Sequence, residues 1–239
     1  MPSSAVQPMS SSVVHTLFGT LRRPRQTFEA LSARPTWAGA LLVTFVVIAA
    51  GKVGLMLTPE GQQALTDQWA TRAEAFGQAV TDANYQTFVD LGNRAVEIGA
   101  ASAVGTGLVL VFAVALLAHG LFRGRSGATL TQALAVSAHA NAALALRELV
   151  AAPVNYVRES ISSPLTLGTL FQGLDEVSAG ARFLGMIDLF WVWWLLLLAF
   201  GFSAVYGRRA SRLAAGFIGL YVAFGLVMAV AMVVLGGRP

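Results

Sequence analysis

The sequence predicts an all-α integral membrane protein with five transmembrane helices and an amphipathic helical insert between the first two. Three observations carry that prediction. Apolar residues make up 56% of the chain and charged residues only 12%, where a soluble domain has about a quarter charged. The apolar residues gather into runs long enough to span lipid, which takes about 20 residues of helix. The longest, FLGMIDLFWVWWLLLLAFGFSAVYGRR from Phe183 to Arg209, holds one acid, Asp188, and stops at Arg208 and Arg209. Arginine also recurs in alternate loops, the charge bias that orients membrane proteins.

The formal net charge of +4 would hint at nucleic acid in a soluble protein. Here the basic residues cluster at one end of the spans, which accounts for the charge without a nucleic-acid partner. The chain has no cysteine, so disulfides, thiol catalysis and Cys-ligated metals are excluded.

The chain divides into 1–36, a cytoplasmic tail and amphipathic segment, and 37–239, a membrane domain that includes an extracytoplasmic helical insert at 59–97. Residues 1–16 are small and polar and read as a disordered tail. Pro24 is placed to open a short helix. Phe28 and Leu31 share one side of it, beside Arg22, Arg23, Arg25 and Arg34. Such a segment either lies on an anionic membrane surface or is a solvated linker whose arginines set orientation.

The first span is expected at 37–57, from Trp37 to Leu57, with Lys52 near its far end and Pro59 closing it. In the insert, Leu65, Trp69, Phe76 and Val80 share one helical face, and Phe88, Leu91, Ala95 and Ile98 continue as another. They predict two amphipathic helices, the second running into the second span. These helices pack on each other or on the membrane surface, or bind a ligand.

The second span, 98–121, carries Ala101 and Gly105, and Ala103 and Gly107, at the four-residue spacing that lets helices approach closely in lipid. Thr129 and Gln132 form a capping box for the third span, 130–150, the most polar of the five, which ends before Pro153. The loop that follows has an apolar part, Pro164 to Phe171, suited to the interface. The fourth span is 183–206. The fifth, 213–235, carries Gly216 and Gly219 as further packing notches.

One end of the spans collects Arg22, Arg23, Arg25, Arg34, Arg123, Arg125, Arg208, Arg209 and Arg212. The other has Arg72, Arg94, Arg158, Arg182 and Arg238 among many acids, including Glu60, Asp67, Glu74, Asp82 and Asp90. The positive-inside rule then puts the amino terminus in the cytoplasm and, after five spans, the carboxy terminus outside.

Charges inside lipid cost about 2.5–3.5 kcal/mol each at mid-helix, so their depth matters. At about 1.5 Å per residue, Lys52, Arg147, Glu148 and Asp188 fall at similar depth, in the outer third. Three readings follow: ion pairs that lock helices one, three and four; a polar vestibule for protons, an ion or a lipid headgroup; or span boundaries shifted so that the charges lie in water. His139 and Asn141 lie nearer mid-membrane, where a neutral histidine satisfied by a carbonyl is expected, since a proton relay needs a partner at the same level. No histidine spacing suits a metal, and hydrolase and nucleotide motifs are missing. No enzyme activity and no cofactor are therefore expected.

Three stretches together resemble the Yip family (Ypt-interacting proteins). LRRPRQTFEALSARPTW resembles its entry motif, with Pro24, Phe28 and Pro35 in place before the first span. IDLFWVWWLLLLAFGFSAVYGRR resembles its fourth span through Ile187, Asp188, Phe190 and Trp193. LFRGRSGATLTQALAVSAHAN is similar to the family's short turn into the third helix. The resemblance runs over roughly 15–235 and implies a five-span membrane fold. The insert departs from compact eukaryotic members and is similar to insertions in bacterial ones. Eukaryotic relatives are adaptors that engage prenylated Rab-type GTPases. The abundance of Ala, Gly and Arg points to a bacterial source and to the inner membrane, where that traffic has no counterpart, and fold alone does not carry function.

The expected role is a non-enzymatic membrane scaffold or adaptor that binds lipids or other membrane proteins through small-residue helix faces. The alternative is a transporter or channel subunit with a polar pathway in the outer third. Expected partners are the lipid bilayer, other membrane proteins and further copies of the chain.

Overall fold

The computed structural model describes residues 12–124, 126–171 and 178–236. They form thirteen α-helices and one π-helical segment, with no strand among the described residues. Arg125 and Arg238, both counted for orientation, lie outside the described residues, as does the tail up to residue 11.

Two short helices come first, α1 (Val13–Arg22) and α2 (Pro24–Ala33). The expected tail thus gives way to helix at Val13, where the Ser12 side chain caps the His15 N–H. Pro24 sits in the first turn of α2, where its missing N–H costs nothing. The apolar face of α2 does not lie on a membrane surface. Phe28 is fully buried, and Leu31 nearly so, in the main core with Trp194, Leu198 and Phe202. Arg22, Arg23, Arg25 and Arg34 stay exposed around it. Packing against the bundle wins because a phenylalanine gains close contacts there that fluid lipid does not offer.

Among the described residues, four helices are long and apolar enough to cross a membrane. They are α3 (Ala38–Met56); the continuous run α6 (Ala95–Val104), π segment (Gly105–Val109) and α7 (Leu110–Phe122); α12 (Leu189–Tyr206); and α13 (Ala210–Leu235). Their ends differ from the expected spans by a few residues, except in the fourth. There the helix breaks after α11 (Ala179–Met186) and restarts at Leu189. Asp188 is therefore the N-cap of α12, and not an acid within a continuous span. Its Oδ1 accepts the Phe190 N–H at 2.8 Å. At the other end, Gly207 closes α12 in the left-handed conformation (φ 64°), which a glycine adopts without a Cβ penalty.

The expected third span is two helices, α8 (Leu130–Ala140) and α9 (Ala142–Val157), joined at Asn141. Neither is long enough by itself to cross a membrane. Thr129 and Gln132 form the reciprocal capping box at the start of α8, and Gln132 also donates to the Ser32 carbonyl of α2 at 2.8 Å. Pro153 lies inside α9 and does not end it.

Every residue from Ala135 to Ala145 is buried. This explains why α8 and α9 are less apolar than the four membrane-length helices. Their neighbours, not lipid, surround them, and alanine lets those neighbours come close. Helices α3, α7 and α12 pack around them.

The second span uses its small residues on one side only. Gly99, Ala103 and Gly107 are buried against α3; a side chain at Gly107 would strike the Phe45 ring, and one at Gly99 would press on Met56. Ala101 is exposed, and Gly105 has no neighbour within 4 Å of where a Cβ would stand.

Beyond α3 lie α4 (Pro59–Ala75) and α5 (Asp82–Gly92), packed on each other. Phe76 is the C-cap of α4 and Val80 falls past it. The expected face from Leu65 to Val80 therefore stops short. A break at Asn93 and Arg94 separates α5 from α6, so the insert does not run into the second span. Leu65 and Ala95 pack on Met56 instead, seating the insert on the end of α3.

Candidate functional site

The loop between α9 and α12 builds one wall of the site. Leu167 donates to the Ile187 carbonyl at 2.8 Å and Leu189 to the Leu165 carbonyl at 3.0 Å. These bonds hold Thr166 opposite Asp188 as an isolated bridge. The short helix α10 (Leu167–Leu170) then meets α11 where Gly168 lies against Gly185, a contact that a Cβ at Gly168 would fill. Tyr221 of α13 fixes the junction from the other side. Its hydroxyl donates to the Met186 carbonyl at 2.8 Å and accepts the Asp188 N–H at 3.0 Å.

The structure brings together the four charges singled out in the sequence. Arg147 Nε donates to Asp188 Oδ2 at 2.8 Å. Its Nη1 donates to Glu148 Oε1, also at 2.8 Å. Lys52 Nζ stands 3.7 Å from the same Glu148 oxygen and donates to Ser102 Oγ at 3.1 Å. The result is a chain, Lys52–Glu148–Arg147–Asp188, across α3, α9 and the start of α12. Gly51 makes it possible: a Cβ there would press on Glu148, so its absence lets α9 approach α3 closely enough for Lys52 to reach.

These side chains are largely shielded, with exposures of 20% for Lys52, 18% for Arg147, 9% for Glu148 and 6% for Asp188. Each charge has an opposite partner, which offsets its desolvation. Both oxygens of Asp188 are engaged, one by Arg147 and one by the α12 backbone.

The mid-bundle pair is arranged differently. His139 is buried, with Nδ1 2.9 Å from the Ala135 carbonyl one turn earlier in α8. Fully buried Asn141 points its amide at the Thr106 carbonyl, 3.5 Å away, within the π segment. A π turn disturbs the regular helical hydrogen bonding, and Asn141 supplies a donor there. The two side chains serve separate helices and have no shared hydrogen bond.

An open cleft of about 1300 Å³ reaches the charge chain from the insert end. Arg147, Asp188, Trp191 and Tyr221 lie at its inner limit, while Arg72, Arg158 and Arg182 line its mouth. In the sequence these last three serve only as counts for orientation. Tyr221 carries a signal that sequence reasoning missed: it is the one phenol in an otherwise apolar span.

A helical bundle with four membrane-length helices and polar caps of this kind defines a multi-pass membrane protein. Residues 18–232 match the Yip1 domain, and the chain belongs to that family. No curated protein matches the chain, and no solved structure does.

Proposed function

We propose that this Yip1-domain protein is a non-enzymatic scaffold or adaptor that holds other membrane proteins or lipids at its helix faces. The observation that carries the reading is the open side of α13. Only 11% of its apolar window is buried. Gly216 and Gly219 are exposed, with nothing within 4 Å of either Cβ position. Small residues on a lipid-facing helix offer a close approach to another helix. A photo-crosslinker at exposed Leu220 is expected to trap a second polypeptide, either a further copy or another membrane protein. Gly216→Leu with Gly219→Leu should cut the adduct about tenfold, equivalent to about 1.4 kcal/mol. Adducts with lipid only, unaffected by the glycine changes, would count against protein binding at this face.

In the same proposal α8 and α9 together make the fifth crossing. Support comes from their path, since α7 ends with Phe122 against Tyr206 at the last turn of α12, while α12 begins at Asp188, which Arg147 of α9 holds. The arginines at the amino-terminal end favour a cytoplasmic amino terminus in a bacterial inner membrane. Reporters fused to the two termini are expected on opposite sides of the membrane; the same side would sink the five-span topology.

The alternative, a transporter or channel subunit, draws on the cleft that leads to Arg147 and Asp188. Proton or solute flux in liposomes that Asp188→Asn lowered would favour it over the scaffold.

A further inference from the structure

The cleft has a strong charge bias. Among the described residues, four arginines line it, each from a different place in the chain: Arg72 on α4, Arg147 on α9, Arg158 at the end of α9 and Arg182 on α11. Against them stands, among the described residues, one carboxylate, Asp188, already held by Arg147 and the α12 N-terminus. Arg182 Nη1 donates to the Met232 carbonyl at 2.6 Å, which fixes this guanidinium at the end of α13. Arg72 lies 5.9 Å over the Trp69 ring. Neither Arg72, Arg158 nor Arg182 has a carboxylate partner among the described residues. A smaller recess beside the cleft shares Arg72 and carries Asp67 and Glu159.

Two further features suit a ligand. The Ser163 hydroxyl lines the cleft buried and without a hydrogen-bond partner. Part of the lining is apolar and aromatic, with Met186, Trp191 and Phe224. Trp191 is one turn inside the start of α12, so the arginines stand where an apolar helix begins, at the level of lipid headgroups.

We propose that the cleft binds a phosphate-bearing anion, its phosphoryl oxygens held by Arg72, Arg158 and Ser163, and that the anion is the headgroup of an acidic phospholipid whose chains lie along Phe224 and α13. Guanidinium groups suit phosphate oxygens through paired charge-assisted hydrogen bonds. The apolar wall favours a lipid-borne phosphate over a free one. The inference rests on the lipid-binding half of the proposed function. The α13 crosslink reads the protein-binding half, so either can fail alone.

The test uses the full chain in nanodiscs of phosphatidylcholine with a minor share of phosphatidylglycerol, released gently and weighed by native mass spectrometry. Phosphatidylglycerol is expected to be enriched on the protein over its share in the disc. Arg72→Gln with Arg158→Gln should weaken that retention at least about tenfold, since both charge-assisted contacts to the phosphate are lost. Arg123→Gln, at the opposite end, should leave it unchanged. Both arginines are exposed, and a melting curve checks that the double variant is folded. Inorganic phosphate and glycerol phosphate form the second arm. If they bind in detergent and displace no lipid because none is enriched, the site takes a free phosphate and the lipid assignment is overturned. Equal retention of both lipids by the wild-type chain, with no phosphate binding, would overturn the proposal outright.

Discussion

Asp188→Asn is expected to destabilise the bundle by about 3–5 kcal/mol, the cost of leaving one member of a shielded ion pair without its partner. Arg147 keeps Glu148, but that carboxylate also faces Lys52, so two cations would share one acid. Asparagine preserves the cap on α12, because its side-chain oxygen also accepts the Phe190 N–H. Asp188→Ala removes the cap as well and should cost about 1 kcal/mol more. Pairing Asp188→Asn with Arg147→Met should recover much of the loss, since Lys52 and Glu148 then balance. Such non-additivity is what contacting residues show. Melting in a mild detergent, or unfolding in mixed micelles, compares the wild type, Asp188→Asn, Asp188→Ala, Arg147→Met alone and the double variant. Additive losses in the double variant would show that Arg147 and Asp188 do not act as a pair.

Phe28→Ala is expected to cost about 3–5 kcal/mol, as removal of a buried phenylalanine does when the site cannot collapse. The ring is 0% exposed. A Cβ at Gly201 would sit 3.1 Å from it and closer still to Val136, so α2, α8 and α12 meet here with no slack. The same substitution on a helix merely resting on lipid would leave the melting temperature almost unmoved. The measurement therefore separates a helix built into the bundle from a peripheral anchor. Phe18, exposed at 61% on α1, is the control.

Much of this architecture was legible in the residues. The long apolar runs located α3, the α6–α7 run and α13 to within a few positions, and the end of α12, because lipid thickness leaves little freedom in length. The depth argument placed Lys52, Arg147, Glu148 and Asp188 on one level, and the structure joins them in a chain. The break before α12 was hidden. Phe183 to Tyr206 is apolar on both sides of Asp188, and hydropathy cannot distinguish a capping acid from a buried one. The two-part α8–α9 was hidden for a related reason, since nothing in a single sequence says that Asn141 faces a π turn in another helix. The face of α2 misled because a packed core and a membrane surface demand the same amphipathic pattern. The arginine cleft escaped because its four guanidiniums come from three separate segments, α4, α9 and α11, that only the fold brings together.

The low hydropathy of the central α8–α9 pair has a bearing on biogenesis. Under the five-span reading, this segment carries Ser137, His139, Asn141, Arg147 and Glu148 into the bilayer, and a chain so polar partitions poorly into lipid by itself. Its insertion would then wait on its neighbours. Helix α3 would offer Lys52 to Glu148 from the chain already synthesised, whereas Asp188, the partner of Arg147, arrives only with α12. Until then Arg147 is a lone cation with Glu148 beside it. Ribosomal delivery of α12 would be the event that commits the central segment to its crossing, and chains truncated before Leu189 would stall with that segment still outside the membrane.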